Sequence, residues 1–233
     1  MTTEGPLRDV VHSKLIEMIA SGQLGANEPL REARLAAQLG TSRVPVREAI
    51  LLLEEEGWVD RTPRRGARVR TPTRADIEEV FLLRRLLEEE AVRLAIPHSS
   101  LYEVGELRKA IVLEAAAAAG GDLRRTLEAS RAFHGGIARL TRNKLLMQIL
   151  NSLQHRVQWL IAPTAFVRVE STCLVEHEAI LQAIEDRDPE RAAAAVRHHI
   201  EVTRQSLYDY WNNRAVGERV DSDVAPVATT GMT

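Results

Sequence analysis

The fold is decided by residues 22–69, which read GQLGANEPLREARLAAQLGTSRVPVREAILLLEEEGWVDRTPRRGARV. An amphipathic run at 31–39 ends at Gly40, a residue suited to the left-handed backbone past a helix terminus, and predicts a short helix. Thr41 and Ser42 are both suited to cap a further helix, whose apolar stripe stops at Gly57. The stretch therefore begins with two short helices joined by a tight turn.

Short β-prone segments follow these helices. WVDR at 58–61 and ARVR at 67–70 are separated by a turn that contains Pro63 and Gly66, which predicts a β-hairpin with an arginine-rich tip. Another helix is predicted at 6–21, because apolar residues recur there with a period close to 3.6. Three helices followed by a hairpin is the order of a winged helix-turn-helix, in which the third helix enters the major groove of DNA.

The remainder of the chain is helical by its periodicity. The predicted helices span 74–95, 99–119, 122–140, 143–161, 171–186 and 188–213. Their short connections favour antiparallel neighbours in a bundle. We therefore predict a mostly α protein, in which an N-terminal winged helix-turn-helix with a small β-hairpin is followed by an all-α antiparallel helical bundle.

Length and a linker set the domain boundaries. The chain has 233 residues, which exceeds a single domain of the usual roughly 100 to 200 residues. Pro72 disfavours helix at the residue before it, and Thr73 can cap the next helix. We expect a DNA-binding domain at 5–72, an effector-binding and dimerisation domain at 73–213, and a flexible tail at 214–233.

Composition excludes several classes of protein. Hydrophobic residues make up 45% and charged residues 27%, which is typical of a globular protein with real cores. No apolar stretch approaches the roughly 18 to 20 residues of a membrane span, and the N-terminus lacks a basic region followed by an apolar block, so no membrane partner is expected. The single cysteine, Cys173, cannot form an internal disulfide, which fits a reducing compartment. We expect a cytoplasmic protein.

The net charge of −2 hides an uneven distribution. Residues 1–75 carry 12 Lys and Arg against 10 Asp and Glu, and 58–74 contains six arginines against the single acid Asp60. This cationic segment, which includes Arg65 at the tip of the hairpin, is suited to the phosphates of DNA.

The first turn of the third helix carries the side chains best placed to contact bases. Ser42, Arg43, Pro45 and Arg47 lie where a recognition helix faces bases and phosphates, and the helix dipole favours an anion there. A guanidinium can donate two hydrogen bonds to a guanine edge, which is worth roughly 1 to 3 kcal/mol of discrimination. Any one of these arginines could equally be a solvated surface charge, but their grouping before a cationic hairpin favours contact with DNA.

Three histidines stand on separate predicted helices beside apolar positions: His134, His177 and His199. Imidazoles that converge inside a bundle could bind a divalent cation and leave coordination positions open. They could instead simply complete the core. The spacing alone leaves both alternatives open.

The N-terminal motif resembles a known family. The block SRVPVREAI, followed by LEEEGWV and a wing that bears a glycine, is similar to the winged-helix domain of the GntR family of bacterial transcriptional regulators. The resemblance implies that Arg43 and Arg47 contact the operator, that Ser42 and Pro45 shape the entry of the recognition helix, and that Gly66 lets the wing tip approach the minor groove. It also implies a homodimer on a short inverted repeat of double-stranded DNA.

One position departs from this family pattern. Many relatives have an arginine two residues before the leucine that corresponds to Leu35, and this chain has Ala33 there. Arg31 or Arg34 is expected to supply that phosphate contact instead.

The second part of the chain resembles the FCD ligand-binding domain of the FadR subgroup. The similarity is carried by VFLLRRLLEEEAVRLA, the pair Phe133-His134 followed by RNKL, EHEAILQAI and VRHHI. In metal-binding members three histidines match His134, His177 and His199, and an aspartate or asparagine stands one turn before the first. Ser130 occupies that position here, and a hydroxyl is a poorer ligand for a dication than a carboxylate. Because the three histidines match, the resemblance implies a divalent metal such as Zn or Ni, with Ser130 as a weak fourth ligand.

The resemblance also implies a small organic acid as effector. Arg84 matches an arginine of the family that lies near the pocket, and it could pair with such an acid. The alternative is an i, i+4 partner of Glu88 on the same helix.

Two other classes compete with a regulator. A metal-dependent hydrolase could use three histidines and a bound cation, but the sequence has no zincin pattern, nucleophile motif or glycine-rich phosphate loop, so we expect no enzyme. The other is a ligand-free helical dimerisation module, in which the histidines belong to the core.

Overall fold

In the computed structural model, which describes residues 6–62, 66–162 and 170–222, three helices and a hairpin form the N-terminal unit. These elements are α1 (Leu7–Ala20), α2 (Glu32–Gln38), α3 (Arg43–Glu55), β1 (Val59–Thr62) and β2 (Gly66–Val69). The predicted winged helix-turn-helix is confirmed. Gly40 and Gly57, which follow α2 and α3, have φ angles of 64° and 74°, so the chain reverses at the residues that can adopt the left-handed backbone most easily.

The wing consists of the hairpin β1–β2 and a segment before α2 that pairs with it. Its strands are antiparallel, with Val59 opposite Val69 and Thr62 opposite Gly66. The segment before α2 adds to it, because the Leu30 amide donates to the carbonyl of Ala67 over 2.9 Å. The sequence predicts only a loop there, since these pairings join residues that are far apart in the chain and leave no local periodicity.

Helices α1 and α3 enclose the core of the N-terminal unit. The largest buried apolar side chains of this unit are Leu15, Ile19, Leu24, Leu35, Ile50, Leu53 and Trp58. Full burial of such a side chain contributes roughly 1.5 to 3 kcal/mol, so this core fixes the angle at which α3 is presented.

The second unit is an all-helical bundle, as predicted. Its elements are α4 (Arg74–Ala95), a 3-10 turn (Ile96–His98), α5 (Leu101–Ala119), α6 (Leu123–Leu140), α7 (Lys144–Ile161), α8 (Glu170–Glu185) and α9 (Pro189–Ser222). Helix α5 begins two residues later than predicted, because Ser100 is its N-cap and forms a capping box with Glu103.

Helix α9 differs from the prediction at its end. It continues to Ser222, whereas the sequence predicts that the helix ends at 213 and that a flexible tail follows. The first part of that predicted tail is therefore helical, and 223–233 lie outside the residues that the structure describes.

A short linker joins the two units. The Thr73 hydroxyl accepts a hydrogen bond from the Asp76 amide, and the Asp76 carboxylate accepts one from the Thr73 amide, which closes the predicted cap of α4. The same carboxylate pairs with Arg70 at the end of the wing. Among the described residues, no helix has the length and apolar character needed to cross a bilayer.

Candidate functional site: a basic recognition helix and a buried histidine cluster

The exposed side of α3 carries the two predicted base-contacting arginines. The side chains of Arg43 and Arg47 are 63% and 57% exposed. Both arginines donate hydrogen bonds to the Glu32 carboxylate on α2. Arg47 donates from Nε over 3.0 Å and from Nη2 over 2.9 Å, and Arg43 donates from Nη2 over 3.4 Å. The bidentate pair holds Arg47 in one orientation, and Arg47 lowers the pKa of Glu32 through that hydrogen bond.

The other two residues of this turn differ from each other. Ser42 is exposed and is the N-cap of α3, although its side chain makes no capping hydrogen bond. Pro45 is buried, so it shapes the first turn of α3 and does not itself face a duplex. Val44, which sequence reasoning passed over, is 62% exposed beside them and offers an apolar surface of the kind that contacts a thymine methyl group.

The remaining predicted DNA-contacting residues surround α3. Arg31, the N-cap of α2, and Arg34 are exposed, and Arg34 pairs with Glu28. Gly66 opens β2 with a φ angle of 78° and lines a groove together with Arg47 and other residues of α3 and the wing. Arg65 lies outside the described residues.

The three predicted histidines meet at the centre of the bundle. Their helices α6, α8 and α9 bring His134, His177 and His199 together, and one ring nitrogen of each lies within 4.8 Å of the others. The ring centroids are 4.7 to 5.1 Å apart. His177 is fully buried and His199 is 3% exposed. Ser130 lies half-buried one turn before His134 on α6.

Each of the three histidines also pairs, through its Nδ1 atom, with a carboxylate on a different helix. The Nδ1 atom of His177 lies 2.8 Å from Glu114, that of His199 lies 2.8 Å from Glu176, and that of His134 lies 3.3 Å from Glu88. A carboxylate accepts hydrogen bonds, so each pairing places the imidazole proton on Nδ1 and leaves the Nε2 lone pair free in the neutral ring.

Burial keeps two of these rings neutral. Desolvation lowers the pKa of His134, and it lowers the pKa of His199 well below the usual value, with the neighbouring His177 adding to the effect. Neutral imidazole is the form that binds a metal, so the cluster presents nitrogen lone pairs at neutral pH.

The separation of two ring nitrogens provides a test of whether a cation fits. His134 Nε2 and His177 Nε2 are 3.2 Å apart. Two nitrogens bound tetrahedrally at about 2.05 Å would be about 3.3 Å apart. Facing lone pairs repel each other unless a proton or a cation lies between them, and the carboxylates behind the rings are the usual outer partners of metal-bound histidine. The residues therefore fit a divalent cation.

Arg84 and Glu88 form a buried ion pair beside the cluster. Arg84 Nε donates to Glu88 over 2.7 Å, and the two side chains are only 1% and 9% exposed. Burial by itself would raise the pKa of Glu88, but Arg84, followed by His134, outweighs burial and lowers the pKa to about 2. The terminal nitrogen Nη2 of Arg84 also faces Glu88. The second terminal nitrogen, Nη1, is buried without a hydrogen-bond partner among the described residues. The intrahelical pairing that the sequence allows is thus present, and one donor edge of the guanidinium remains available.

A small cavity adjoins this cluster. It has a volume of about 20 Å³, is lined by Glu88, His134, Asn151 and Gln154 among others, and is the size of about one water molecule. A larger ligand would have to widen it, and α7, which supplies Asn151 and Gln154, is one of the helices that line it.

Helix α7 also contacts the DNA-binding unit. Gln154 lies 3.4 Å from Glu88, and Arg156, two residues further on, donates to the carbonyls of Glu56 and Gly57 just after α3. The Arg156 guanidinium lies 3.9 Å from the centre of the Trp58 ring. One rigid helix therefore reaches from the histidine cluster to the end of the recognition helix.

These features define a class of protein. A winged helix with exposed arginines on its recognition helix binds DNA, and a bundle with a buried polar cluster, mechanically joined to that helix, is suited to sense a ligand. The class is a DNA-binding regulator with a sensing domain.

Comparison with known proteins identifies the family. Residues 7–69 match the model of the bacterial regulatory proteins of the gntR family, and residues 79–202 match the FCD domain. The chain is 34% identical over 190 residues to a probable D-xylose utilization operon transcriptional repressor of Paenarthrobacter nicotinovorans, covering 82% of this chain and 84% of the relative. The chain belongs to the GntR family and is a transcriptional regulator with an FCD effector-binding domain.

Solved structures agree with this fold. The chain resembles E. coli McbR/YncC with a TM-score of 0.81 at 22% identity, covering 89% of this chain and 99% of that one. It resembles a GntR regulator from Rhodococcus sp. RHA1 with a TM-score of 0.76 at 24% identity, covering 87% and 97%.

Sequence reasoning missed the acidic partners of the site. Glu114 and Glu176 pair with His177 and His199, and Glu32 pairs with the recognition arginines. Glu176 opens the EHEAILQAI block, but neither it nor the other two glutamates was assigned a role from the sequence. Glu176 directly precedes His177, so adjacency could have drawn attention to it, yet it contacts His199 instead. These contacts join different helices, so spacing along one helix could not reveal them.

Proposed function

We propose that the chain is a homodimeric repressor or activator of the FadR subgroup that binds a short inverted-repeat operator and responds to a small organic acid through a metal-containing pocket. The observation that carries the sensing part is the convergence of His134, His177 and His199, each backed by a carboxylate. The FCD architecture fits the FadR subgroup.

The arginines of α3 support the operator contact. Glu32 fixes Arg47 through two hydrogen bonds before DNA arrives, so less side-chain freedom is lost on binding. Arg43 and Arg47 would donate to base edges, and Ser42 and Gly66 would let the helix and the wing approach the backbone. Arg31, Arg34 and Arg65 would neutralise phosphates.

Exposed leucines support a dimer. Leu82, Leu83 and Leu86 on α4 are 45 to 58% exposed, and α7, which packs on α4, presents Leu145 at 66%. Exposed apolar side chains on two packed helices support an interface between protein subunits. A two-fold dimer would present two recognition helices to two half-sites, which requires an inverted repeat.

The effector pocket is assigned to the histidine cluster and Arg84. His134, His177 and His199 would hold a divalent cation such as Zn or Ni, with Ser130 as a weak fourth ligand, and the cation would supply open coordination positions suited to a carboxylate. Arg84 Nη1, which is buried without a partner, supports a second anchor for the same acid.

Helix α7 supports a route for the response. A ligand that widens the small cavity beside Glu88 would press on Gln154 and Asn151, which both lie on α7. Arg156 on the same helix is hydrogen-bonded to the carbonyls that follow α3. Effector binding would therefore change the position of the recognition helices, and such coupling is typically worth 1 to 3 kcal/mol.

A regulatory rather than catalytic role is part of the proposal. The relatives are named as transcriptional regulators, and the carboxylates nearest the histidines bind imidazole Nδ1 atoms, which orients the rings. Because its partner is chromosomal DNA, we place the protein in the cytoplasm. The proposed domain division is 5–72 and 73–213, with the boundary between Pro72 and Thr73.

The test is selection of bound sequences from a random duplex library by the purified full chain at low ionic strength. We expect an inverted repeat to be enriched, and Arg47→Ala to lose that enrichment. Arg108→Ala is a matched control, because Arg108 is 56% exposed and ion-paired to Glu185, much as Arg47 is to Glu32. No enriched sequence, or equal loss in both variants, would contradict the assignment.

A further inference from the structure

A second group of possible ligand atoms shares His199 with the histidine cluster. The Cys173 sulfur, a Glu176 carboxylate oxygen and a ring nitrogen of His199 lie within 4.8 Å of one another. Glu176 is 2.8 Å from Nδ1 of His199. The three residues are between 3% and 8% exposed.

Local structure fixes this arrangement. Cys173 and Glu176 are three residues apart on α8 and so lie on the same face of that helix, against α9. Thr203, one turn after His199, donates to the His199 carbonyl over 2.9 Å. Cys173 packs in the core of the bundle, and its sulfur lies within reach of the carboxylate and the imidazole.

The donor chemistry suits one class of ion. Sulfur, imidazole nitrogen and carboxylate oxygen together favour a borderline or soft dication such as Zn²⁺ or Cd²⁺ over a hard ion such as Mg²⁺. A thiolate and a carboxylate carry two negative charges, which balance a dication in a buried place where unpaired charge is costly.

The two groups compete for one imidazole. A neutral ring has a single lone pair, so His199 offers either Nε2 to the histidine cluster or Nδ1 to Cys173 and Glu176. When the proton is on Nδ1, the ring donates it to Glu176 and offers Nε2 to the histidine cluster. When the proton is on Nε2, the Nδ1 lone pair is available and the Glu176 carboxylate is free to bind a cation.

We propose that Cys173, Glu176 and His199 form a second cation site, which takes a thiophilic dication and excludes His199 from the three-histidine site while it is filled. The site goes beyond the regulator function, and it shares with the proposed effector pocket His199 and the Glu176 carboxylate that pairs with it. Binding of a thiophilic ion at Cys173 should therefore weaken binding of a cation at the histidine cluster, and the reverse.

The test is a titration of the purified full chain with Cd²⁺, followed by the near-ultraviolet absorption of a cadmium thiolate. Cys173 is the one cysteine of the sequence, so any such band reports this sulfur. We expect a band that saturates at one Cd²⁺ per chain, that persists in His134→Ala, and that is absent from Cys173→Ser. Ni²⁺ added first should raise the Cd²⁺ concentration needed for half saturation at least tenfold in the parent protein and much less in His134→Ala.

Three results would overturn the proposal. The parent chain could show no thiolate band, which requires no variant and is independent of whether any variant folds. His134→Ala could lose the band, which would make Cys173 an accessory of the histidine cluster. Ni²⁺ could leave the Cd²⁺ titration unchanged, which would remove the competition for His199. None of these results depends on DNA binding, so failure here and failure of the regulator assignment are distinguishable.

Discussion

Replacing Glu88 by glutamine removes the carboxylate that neutralises the buried Arg84. Arg84 is 1% exposed, and its Nε lies 2.7 Å from Glu88. Glutamine keeps the size of the side chain and an oxygen that can accept from His134 Nδ1, so the variant isolates the charge. We expect the free energy of unfolding to fall by about 3 to 5 kcal/mol, the cost of leaving one partner of a buried ion pair uncompensated.

The pKa of Glu88 gives a second value for the free energy that the Arg84–Glu88 ion pair contributes to stability. It is about 2 in the folded chain against 4.5 as its ordinary value. Because the folded pKa is depressed, the stabilisation is fully present above pH 4.5 and is lost as the pH falls towards 2. A difference of this size corresponds to about 3 kcal/mol, in agreement with the lower end of the first figure.

The assay is urea unfolding at neutral pH, with thermal melting as a second readout. For a chain of this length the expected loss lowers the melting temperature by about 6 °C or more. The control is the double variant Arg84→Met, Glu88→Gln, in which both charges are absent and most of the stability should return. A single variant within about 1 kcal/mol of the parent, or a double variant no more stable than the single one, would refute the reasoning.

Four further substitutions test the DNA contacts, the metal pocket and the link between them. Arg47→Ala should weaken operator binding by about 5- to 150-fold, measured by fluorescence anisotropy, whereas unchanged affinity would remove Arg47 from the recognition surface. Arg65→Ala should weaken binding to all sequences and reduce the slope of log K against log salt by about 0.9, and an unaltered slope would argue against a phosphate contact. His177→Ala should abolish uptake of one divalent cation, measured by elemental analysis, while DNA affinity without effector stays the same; stoichiometric metal in the variant would contradict the ligand assignment. Arg156→Ala should accelerate hydrogen exchange of the amides that follow α3, because it removes donors to the carbonyls of Glu56 and Gly57, and the idea fails if exchange there is unaltered.

Local signals made the architecture predictable. Gly40 and Gly57 end helices because few other residues adopt their backbone conformation easily, and Thr73 begins one because its hydroxyl meets an unsatisfied amide. The three histidines could be selected because each stands on its own amphipathic helix, although their convergence was expected from a family resemblance rather than from spacing.

Contacts between distant elements were not predictable in the same way. Glu114 and His177 are 63 residues apart, and Arg156 reaches the chain 100 residues earlier. Such pairs depend on how whole helices pack, and glutamate and arginine are common enough on helix surfaces that neither marks a site by itself. The end of α9 was missed for a different reason, since helix continued beyond the point where apolar periodicity became weak.

Titration of the selected duplex with the full chain most directly tests the claim that a basic winged helix is controlled by the bundle behind it. Binding would be followed by anisotropy at low ionic strength, with the cation present, and with citrate or succinate as probe acids. We expect tight binding that Arg47→Ala weakens, and a shift of about 5- to 150-fold in Kd with an acid that fits the pocket. A full chain that binds no duplex, with or without these acids, would contradict it.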